Sequence, residues 1–361
     1  MKIKKVLSLA LSLAMLLTIS SCSKPAGGSQ SAASNPGGSA SSTGDSSGGS
    51  EPACEPLNIV WGDYHATTTT FWGNVEYWAE LVKEKSGGAI TVELYPAAQL
   101  GSQAELVEAV RSGDIDITYG GTGIFSNYVP DFQVIELPFI WDDYDHIERV
   151  LFEGEMGTQL TQDLLDSTGL RVMCWIHSGF RDMYTNGIAV ESMEDLHRVK
   201  MRSPQSEIYI ALFDAIGAAA TPLAWNDVYE SVRSHVVDGF ETTQEGFISN
   251  SLYEVAKDVV ITNHMYTAEA PVMNEKFYQS LTENQRRIID ESFAEMADWF
   301  NPTQIAFTED AYDRMRDEFG CTLYTPDRAP FQEACTKVWD QFKSNVPTAD
   351  QLIQMVEDGR Q

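Results

Sequence analysis

Two arginines and one aromatic–polar cluster are the places where this chain has the means for chemistry. Arg181 lies in Gly179-Phe180-Arg181-Asp182, and Arg202 lies in Lys200-Met201-Arg202-Ser203-Pro204. A guanidinium presents a planar fork that meets a carboxylate with two parallel hydrogen bonds. The chain carries 53 acidic residues against 24 Lys+Arg, a formal charge of -29. Each arginine therefore has two readings: an internal salt bridge, or a clamp on a carboxylate brought by a ligand. At least one of the two is read as the clamp. Trp61, Asp63, Tyr64 and His65 form the second group, just past a strand-like segment. Open α/β sheets hold ligands beyond the carboxyl ends of their strands. That cluster suits a small polar ligand with hydroxyls, against the alternative of an ordinary loop with a partly buried tryptophan.

Other chemistries find little support. Gly120-Gly121-Thr122-Gly123 follows a strand-like run but lacks both GxxxxGK[ST] and the full GxGxxG. It reads as a close-approach loop at a cleft, with Thr122 beside the ligand. Asp142, Asp143 and Asp145 lack the glycine and closing glutamate of a calcium loop. They read as acids at a helix N-terminus. The six histidines show no HExxH, and the cysteines show no CxxC or zinc spacing. No metal or cofactor is expected. Many carboxylates are available for acid–base work, but nothing singles out a pair.

The elements that must position these residues follow from periodicity. Leu57–Trp61 reads as a strand. Thr70–Lys85 reads as a helix with Phe71, Val75, Trp78 and Val82 on one stripe. Ile90–Leu94 alternates like a strand. Ser102-Gln103-Ala104-Glu105 has the capping-box pattern of a helix running to Arg111 and stopped by Gly113. Asp114–Tyr119 follows as a strand. This βαβαβ order implies an open parallel or mixed sheet. Leu170–Trp175, Met183–Thr185 and Val199–Met201 are further strands, and Ser203 is expected to cap a helix with Pro204 in its first turn. Neighbouring strands would bring Arg181 and Arg202 to one side. The 305 residues from 57 to 361 exceed what one core serves, so two lobes are expected, and from Asn284 to Phe319 the apolar spacing predicts one very long helix, kinked near Pro302 and running across both. Cys174 reads as a buried thiol, and Cys321 with Cys335 as a candidate disulfide.

The N-terminus is targeting sequence. Lys2, Lys4 and Lys5 precede the apolar run Val6–Ile19, which is too short to span a bilayer. Ile19-Ser20-Ser21-Cys22 resembles a bacterial lipoprotein cleavage box, which implies a lipid anchor on Cys22. Half of residues 23–56 are Gly or Ser, the composition of a disordered tether. Removing residues 1–21 takes three lysines and no acids, lowering the formal charge to -32. So acidic a body has no use for nucleic acid.

The run Tyr95–Asp116, with Gln99-Leu100-Gly101-Ser102 and Leu106–Asp116, is similar to the solute-binding proteins of tripartite ATP-independent (TRAP) transporters. So are Leu137-Pro138-Phe139, Gly179-Phe180-Arg181, Lys200-Met201-Arg202, Thr221-Pro222-Leu223, Val237-Asp238-Gly239 and Thr262-Asn263-His264. These matches fall in family order over nearly all of residues 57–320. The resemblance implies an α/β, two-lobed, type II-like periplasmic-binding-protein fold, with mixed sheets flanked by helices. It also implies a protein that closes on a small organic acid and hands it to TRAP membrane subunits, without catalysis; the family is mostly periplasmic, and the tether here points instead to a lipid-anchored protein of the cell envelope. Lobe I is expected over 57–178 plus 268–307 and lobe II over 179–267 plus 308–361, after a signal peptide at 1–21 and a tether at 22–56. By the resemblance Arg202 pairs with the ligand carboxylate, and Arg181 is a second contact. Thr242, in Asp238-Gly239-Phe240-Glu241-Thr242-Thr243, replaces a ligand-binding asparagine of many members, and Glu241 stands beside it. Gly121 and Ile124 occupy positions where sialic-acid binders carry a glutamate and an arginine, which argues against that ligand. A tethered extracellular enzyme acting on a sugar acid, and a ligand sensor, are the competing functions.

Overall fold

A computed structural model describes residues 54–360. The signal segment, Cys22 and the tether up to residue 53 lie outside the described residues. Among the described residues ten strands form one continuous set of ladders: β1 (Leu57–Gly62), β2 (Ile90–Tyr95), β3 (Ile117–Gly121), β4 (Leu170–Val172), β5 (Ile176–Thr185), β6 (Lys200–Ser203), β7 (Ala219–Pro222), β8 (Gly239–Thr243), β9 (Asp258–Asn274) and β10 (Thr322–Tyr324). Their order is β2-β1-β3-β9-β5-β8-β6-β7, with β4 and β10 also on β9. β1 runs parallel to β2 and β3, and β6 runs parallel to β7 and β8. β9 is antiparallel to β3, β4 and β5. The sheet is therefore mixed, and the fold is the two-lobed α/β arrangement.

The 17-residue β9 is the strand on which the ladders of β3, β4, β5 and β10 meet. Asp258–Val260 pairs with β10 and with the end of β5, whereas Val272 and Met273 pair with β3 and β4. Its partners change around Thr267–Glu269, where the β5 ladder also shifts register between His177 and Gly179. A second shift falls between Arg181 and Met183. There the buried Asp182 accepts hydrogen bonds from the backbone N–H groups of Thr262 and Asn263, from Gln244 Nε2 and from the Tyr312 hydroxyl. The extra residues at the shift thus have their polar groups met by a side chain rather than by the ladder.

The first helix is Thr70–Lys85. Thr69 caps it by accepting from Trp72 N at 3.2 Å, and its buried face holds Phe71, Val75, Trp78 and Val82. That face packs on the helix Glu283–Glu309, where Trp78 stacks on Phe293 and Phe71 meets Phe300 edge-on. The helix Gln103–Ser112 carries the Ser102–Glu105 capping box and ends at Gly113, whose φ of 87° is the left-handed conformation glycine adopts without cost. Asp143 caps the turn Tyr144–Ile147 by accepting from His146 N.

Several expectations need correction. The strand expected over 170–175 stops at Val172, and β5 begins separately at Ile176. Ser203 ends β6, and the following helix starts at Glu207, so Pro204 lies in the connection. The long helix is two helices: Glu283–Glu309, with Pro302 inside it, and Ala311–Asp317 after Asp310. Cys321 and Cys335 are free thiols: each packs in a different apolar cluster. β5 and β6 are not neighbours, because β8 runs between them. The helix Ala349–Asp358 is fastened at both ends: its Val356 carbonyl meets His146 Nε2, and Thr348 just before it donates to Asp131.

Candidate functional site

β5, β8 and β6 bring Arg181 and Arg202 to one cavity. In register, Arg181 lies opposite Thr243 of β8, and Arg202 lies opposite Phe240 on the other side of that strand. The cavity together with the solvent space at its mouth makes up about 660 Å³ not filled by protein atoms. Tyr64, His65, Gly121, Gly123, Glu136, Glu269 and Thr267 line it from one side, and Arg181, Arg202, Tyr209, Trp225, Thr242 and Glu245 from the other. Glu245 Oε1 accepts from Thr70 N and Thr70 Oγ1, both at 3.0 Å, and Asn226 Nδ2 donates to the Tyr64 carbonyl at 3.1 Å. These bonds tie the two walls together.

The two arginines have opposite surroundings. Arg181 meets both carboxylate oxygens of Glu241 through Nε and Nη2, and Nη1 donates to Thr267 Oγ1 at 3.3 Å. Burial alone would raise the Glu241 carboxyl, but the Arg181 guanidinium and His264 outweigh it and hold it at about 2. Arg202 is 4% exposed, and among the described residues it has no carboxylate within salt-bridge distance. Its Nε donates to the Leu223 carbonyl at 3.0 Å, and its guanidinium lies 5.6 Å from the Trp225 ring. Burial pushes its pKa down to about 10, with Glu241 only partly opposing. A buried cation backed by one carbonyl and one aromatic face is a site for an anion.

The turn after β1 builds the opposite wall. Asp63 Oδ1 accepts from both His65 N (2.7 Å) and His65 Nδ1 (2.8 Å). The imidazole stacks on Phe71 with centroids 4.4 Å apart, and its Nε2 is 3.5 Å from Glu269 Oε2. Burial opposes the imidazolium, yet the Asp63 and Glu269 carboxylates prevail and lift its pKa to about 10. The Tyr64 hydroxyl donates to Glu269 Oε2 at 2.8 Å.

Of the nine residues expected at the site, Arg181, Arg202, Tyr64, His65 and Thr242 line the cavity. The other four stand behind them. Asp63 holds His65, and Glu241 holds Arg181. Thr122 donates to Glu136 Oε1 at 2.8 Å. Trp61 is fully buried in the apolar core against Trp78, Tyr119 and Phe293, so its ring is packing rather than lining. Sequence reasoning missed Glu136, Tyr209, Glu245, Thr267 and Glu269. Glu245 lies two residues past Thr243, and Glu136 directly precedes Leu137-Pro138-Phe139, but the other three lie in plain helix or strand without a local mark.

A family model described as bacterial extracellular solute-binding protein, family 7 (DctP), matches residues 61–345. The chain belongs to this family. Its relatives include the sialic acid-binding periplasmic protein SiaP of Vibrio cholerae, 28% identical over 290 residues that cover 78% of this chain and 89% of the relative. The C4-dicarboxylate-binding periplasmic protein DctP of Rhodobacter capsulatus is 29% identical over 303 residues, 82% of this chain and 90% of that one. Among solved structures, a TRAP periplasmic solute-binding protein of Chromohalobacter salexigens with bound D-glucuronate superimposes with a TM-score of 0.79 at 27% identity, covering 84% of this chain and all of that one. The chain is a TRAP-type solute-binding protein, a class that works on the extracytoplasmic side. Among the described residues no helix is long and apolar enough to cross a membrane, and no group of three His, Cys, Asp or Glu side chains is placed to hold a metal.

Proposed function

We propose that this family 7 protein captures a hydroxylated monocarboxylate, of the sugar-acid class, and presents it to TRAP membrane subunits while tethered to the membrane through Cys22. One observation carries the ligand class. Arg181, Arg202 and His65 are the cationic residues of the described cavity, and Arg202 alone has no carboxylate partner. One unpaired guanidinium matches one carboxylate. A dicarboxylate would need a second cation, and Arg181 and His65 are already neutralised by Glu241, Asp63 and Glu269. The remaining polar lining, with Glu245, Glu269, Thr242 and Thr267, is rich in acceptors and hydroxyls suited to ligand hydroxyls. The C. salexigens neighbour's D-glucuronate has this composition. Sialic acid is disfavoured, since Gly121 and Ile124 offer no charge where they line the cavity.

Charge-assisted hydrogen bonds contribute about 1.5–3 kcal/mol each, and micromolar affinity requires about 8. A bidentate Arg202 contact, hydroxyl contacts and closure of the two walls supply that order of energy. The lobes would close by hinge motion, selected by the ligand because only the closed form offers both walls. The protein acts by binding and release, without turnover.

The test is thermal unfolding of residues 57–361 against hexuronates, aldonates, C4-dicarboxylates, keto acids and sialic acid. A ligand at 100 times its Kd adds about 2.7 kcal/mol of stability. A sugar acid should raise the midpoint in the native protein and not in Arg202→Ala. A shift with C4-dicarboxylates alone, or one that survives loss of Arg202, would reject this reading.

A further inference from the structure

Glu136 ends a 3-10 turn, Pro130–Glu136, and is 1% exposed. Its two carboxyl oxygens differ sharply. Oε1 accepts from Thr122 Oγ1 at 2.8 Å and from the Tyr209 hydroxyl at 3.0 Å. Oε2 is buried and has no hydrogen-bond partner among the described residues. It lies next to Gly123 in the cavity lining, where a Cβ would sit 2.9 Å from it.

The donors around it fix which oxygen is the acceptor. Arg181 Nη1 can only donate, and it donates to Thr267 Oγ1. Thr267 Oγ1 lies 2.9 Å from the Tyr209 hydroxyl, and that hydroxyl donates to Glu136 Oε1. With its own proton spent on Glu136, Tyr209 must accept from Thr267. Every hydrogen in the chain Arg181–Thr267–Tyr209–Glu136 thus points at Oε1, and Thr122 adds a second. Oε1 behaves as a doubly accepting carbonyl oxygen, and the atom left for a proton is Oε2.

We propose that Glu136 binds the ligand as a neutral carboxylic acid, donating from Oε2 to an acceptor oxygen of the bound acid, so that capture depends on a proton held at this position. The proposal rests on the sugar-acid reading of the same cavity. A carboxylate at Oε2 would face the ligand's anionic carboxylate in a shared pocket, whereas an acid there adds a hydrogen bond without charge. Burial supports the neutral form, raising the Glu136 pKa to about 7 even with Thr122, Arg181 and Tyr209 favouring ionisation. The charged and titratable groups facing it are Arg181 from β5, Glu241 from β8 and Tyr209 from the helix Glu207–Ile216. His65, Glu269, Glu245 and Arg202 share the cavity.

The experiment is calorimetric titration of the protein with D-glucuronate, D-galacturonate and D-gluconate between pH 5.5 and 9, in buffers of different ionisation heat. The expected result is affinity that weakens about tenfold per pH unit above 7, with uptake of close to one proton per ligand at the alkaline end. Glu136→Gln, which presents an amide donor at the Oε2 position, should bind with a flat pH profile and no proton uptake. Binding by the native protein without proton uptake would overturn the proposal and leave the sugar-acid reading intact, and needs no variant. Loss of binding in a folded Glu136→Gln, with pH-independent native affinity, would make Glu136 an ionised acceptor and equally overturn it. If none of the three acids binds at any pH, the sugar-acid reading itself fails, and this inference with it.

Discussion

The Arg181 guanidinium closes on the Glu241 carboxylate across the β5–β8 ladder, and both groups are withdrawn from water. Breaking such a pair leaves one buried charge without compensation, at a cost of about 3–5 kcal/mol. Glu241→Gln and Arg181→Met should each lower stability by that order. The double variant should recover much of it, as a two-variant cycle in denaturant would show. The pair also sets an acid limit. The Glu241 pKa falls from 4.5 to about 2 on folding, so its contribution is complete above 4.5 and is lost as pH falls from there through 2. Glu241→Gln should flatten that part of the native stability profile.

Arg202 is the opposite case, a buried cation held without a carboxylate in the free protein. Function and stability pull apart here. Arg202→Met should leave the free protein as stable as the native one, or more stable by on the order of 1 kcal/mol, while removing the ligand-induced shift. Arg202→Lys should not restore binding, because a point charge cannot supply two parallel hydrogen bonds. A free-protein midpoint several degrees below the native value in Arg202→Met would show that the guanidinium is a structural group.

His65 ties stability to alkaline pH. Its pKa rises from 6.5 to about 10 on folding. The stabilisation is therefore full below 6.5 and is lost as pH rises through 10. Stability of the native protein should decline over this window, and His65→Gln should lose that slope. Equal slopes for the two proteins would mean that the imidazole is neutral between Asp63 and Glu269.

The charge of the whole chain acts on arrival rather than on hold. An anionic ligand meets a body of formal charge -29 and is attracted only once inside the cleft. Raising salt from 0.01 M to 0.15 M shortens the screening length from about 30 to about 8 Å. Association measured by stopped flow should therefore accelerate several-fold with salt, while dissociation changes little. A rate that falls with salt would show a local positive potential reaching out of the cleft.

How much of this was legible in the sequence depended on whether the signal was local. The helix Thr70–Lys85 was readable to the residue because its apolar stripe lies within its own span. The capping box at Ser102 and the stop at Gly113 were equally local. Trp61 was misplaced for the same reason: in sequence it stands just before Asp63, Tyr64 and His65, but its neighbours in space are Trp78, Tyr119 and Phe293. That Arg181 would be neutralised and Arg202 left over depends on β8 passing between their strands, a fact of topology with no trace in either arginine's surroundings in the chain. Glu269 reaches the cavity through β3–β9 pairing and has no local mark, whereas Glu136 reaches it from the turn before Leu137 and had only the motif that follows it as a sign.

β9 pairs with β3 and β4 near one end and with β10 near the other, and this bears on how the molecule can come apart. A strand shared in this way offers no linker to cut and no half with a complete set of ladders. Neither lobe expressed alone would have its edge covered, and an exposed strand edge invites pairing with other chains. The protein should therefore melt in one calorimetric transition rather than two. For an extracytoplasmic carrier, exposed to proteases that work on whatever opens locally, loss of either lobe then requires loss of both.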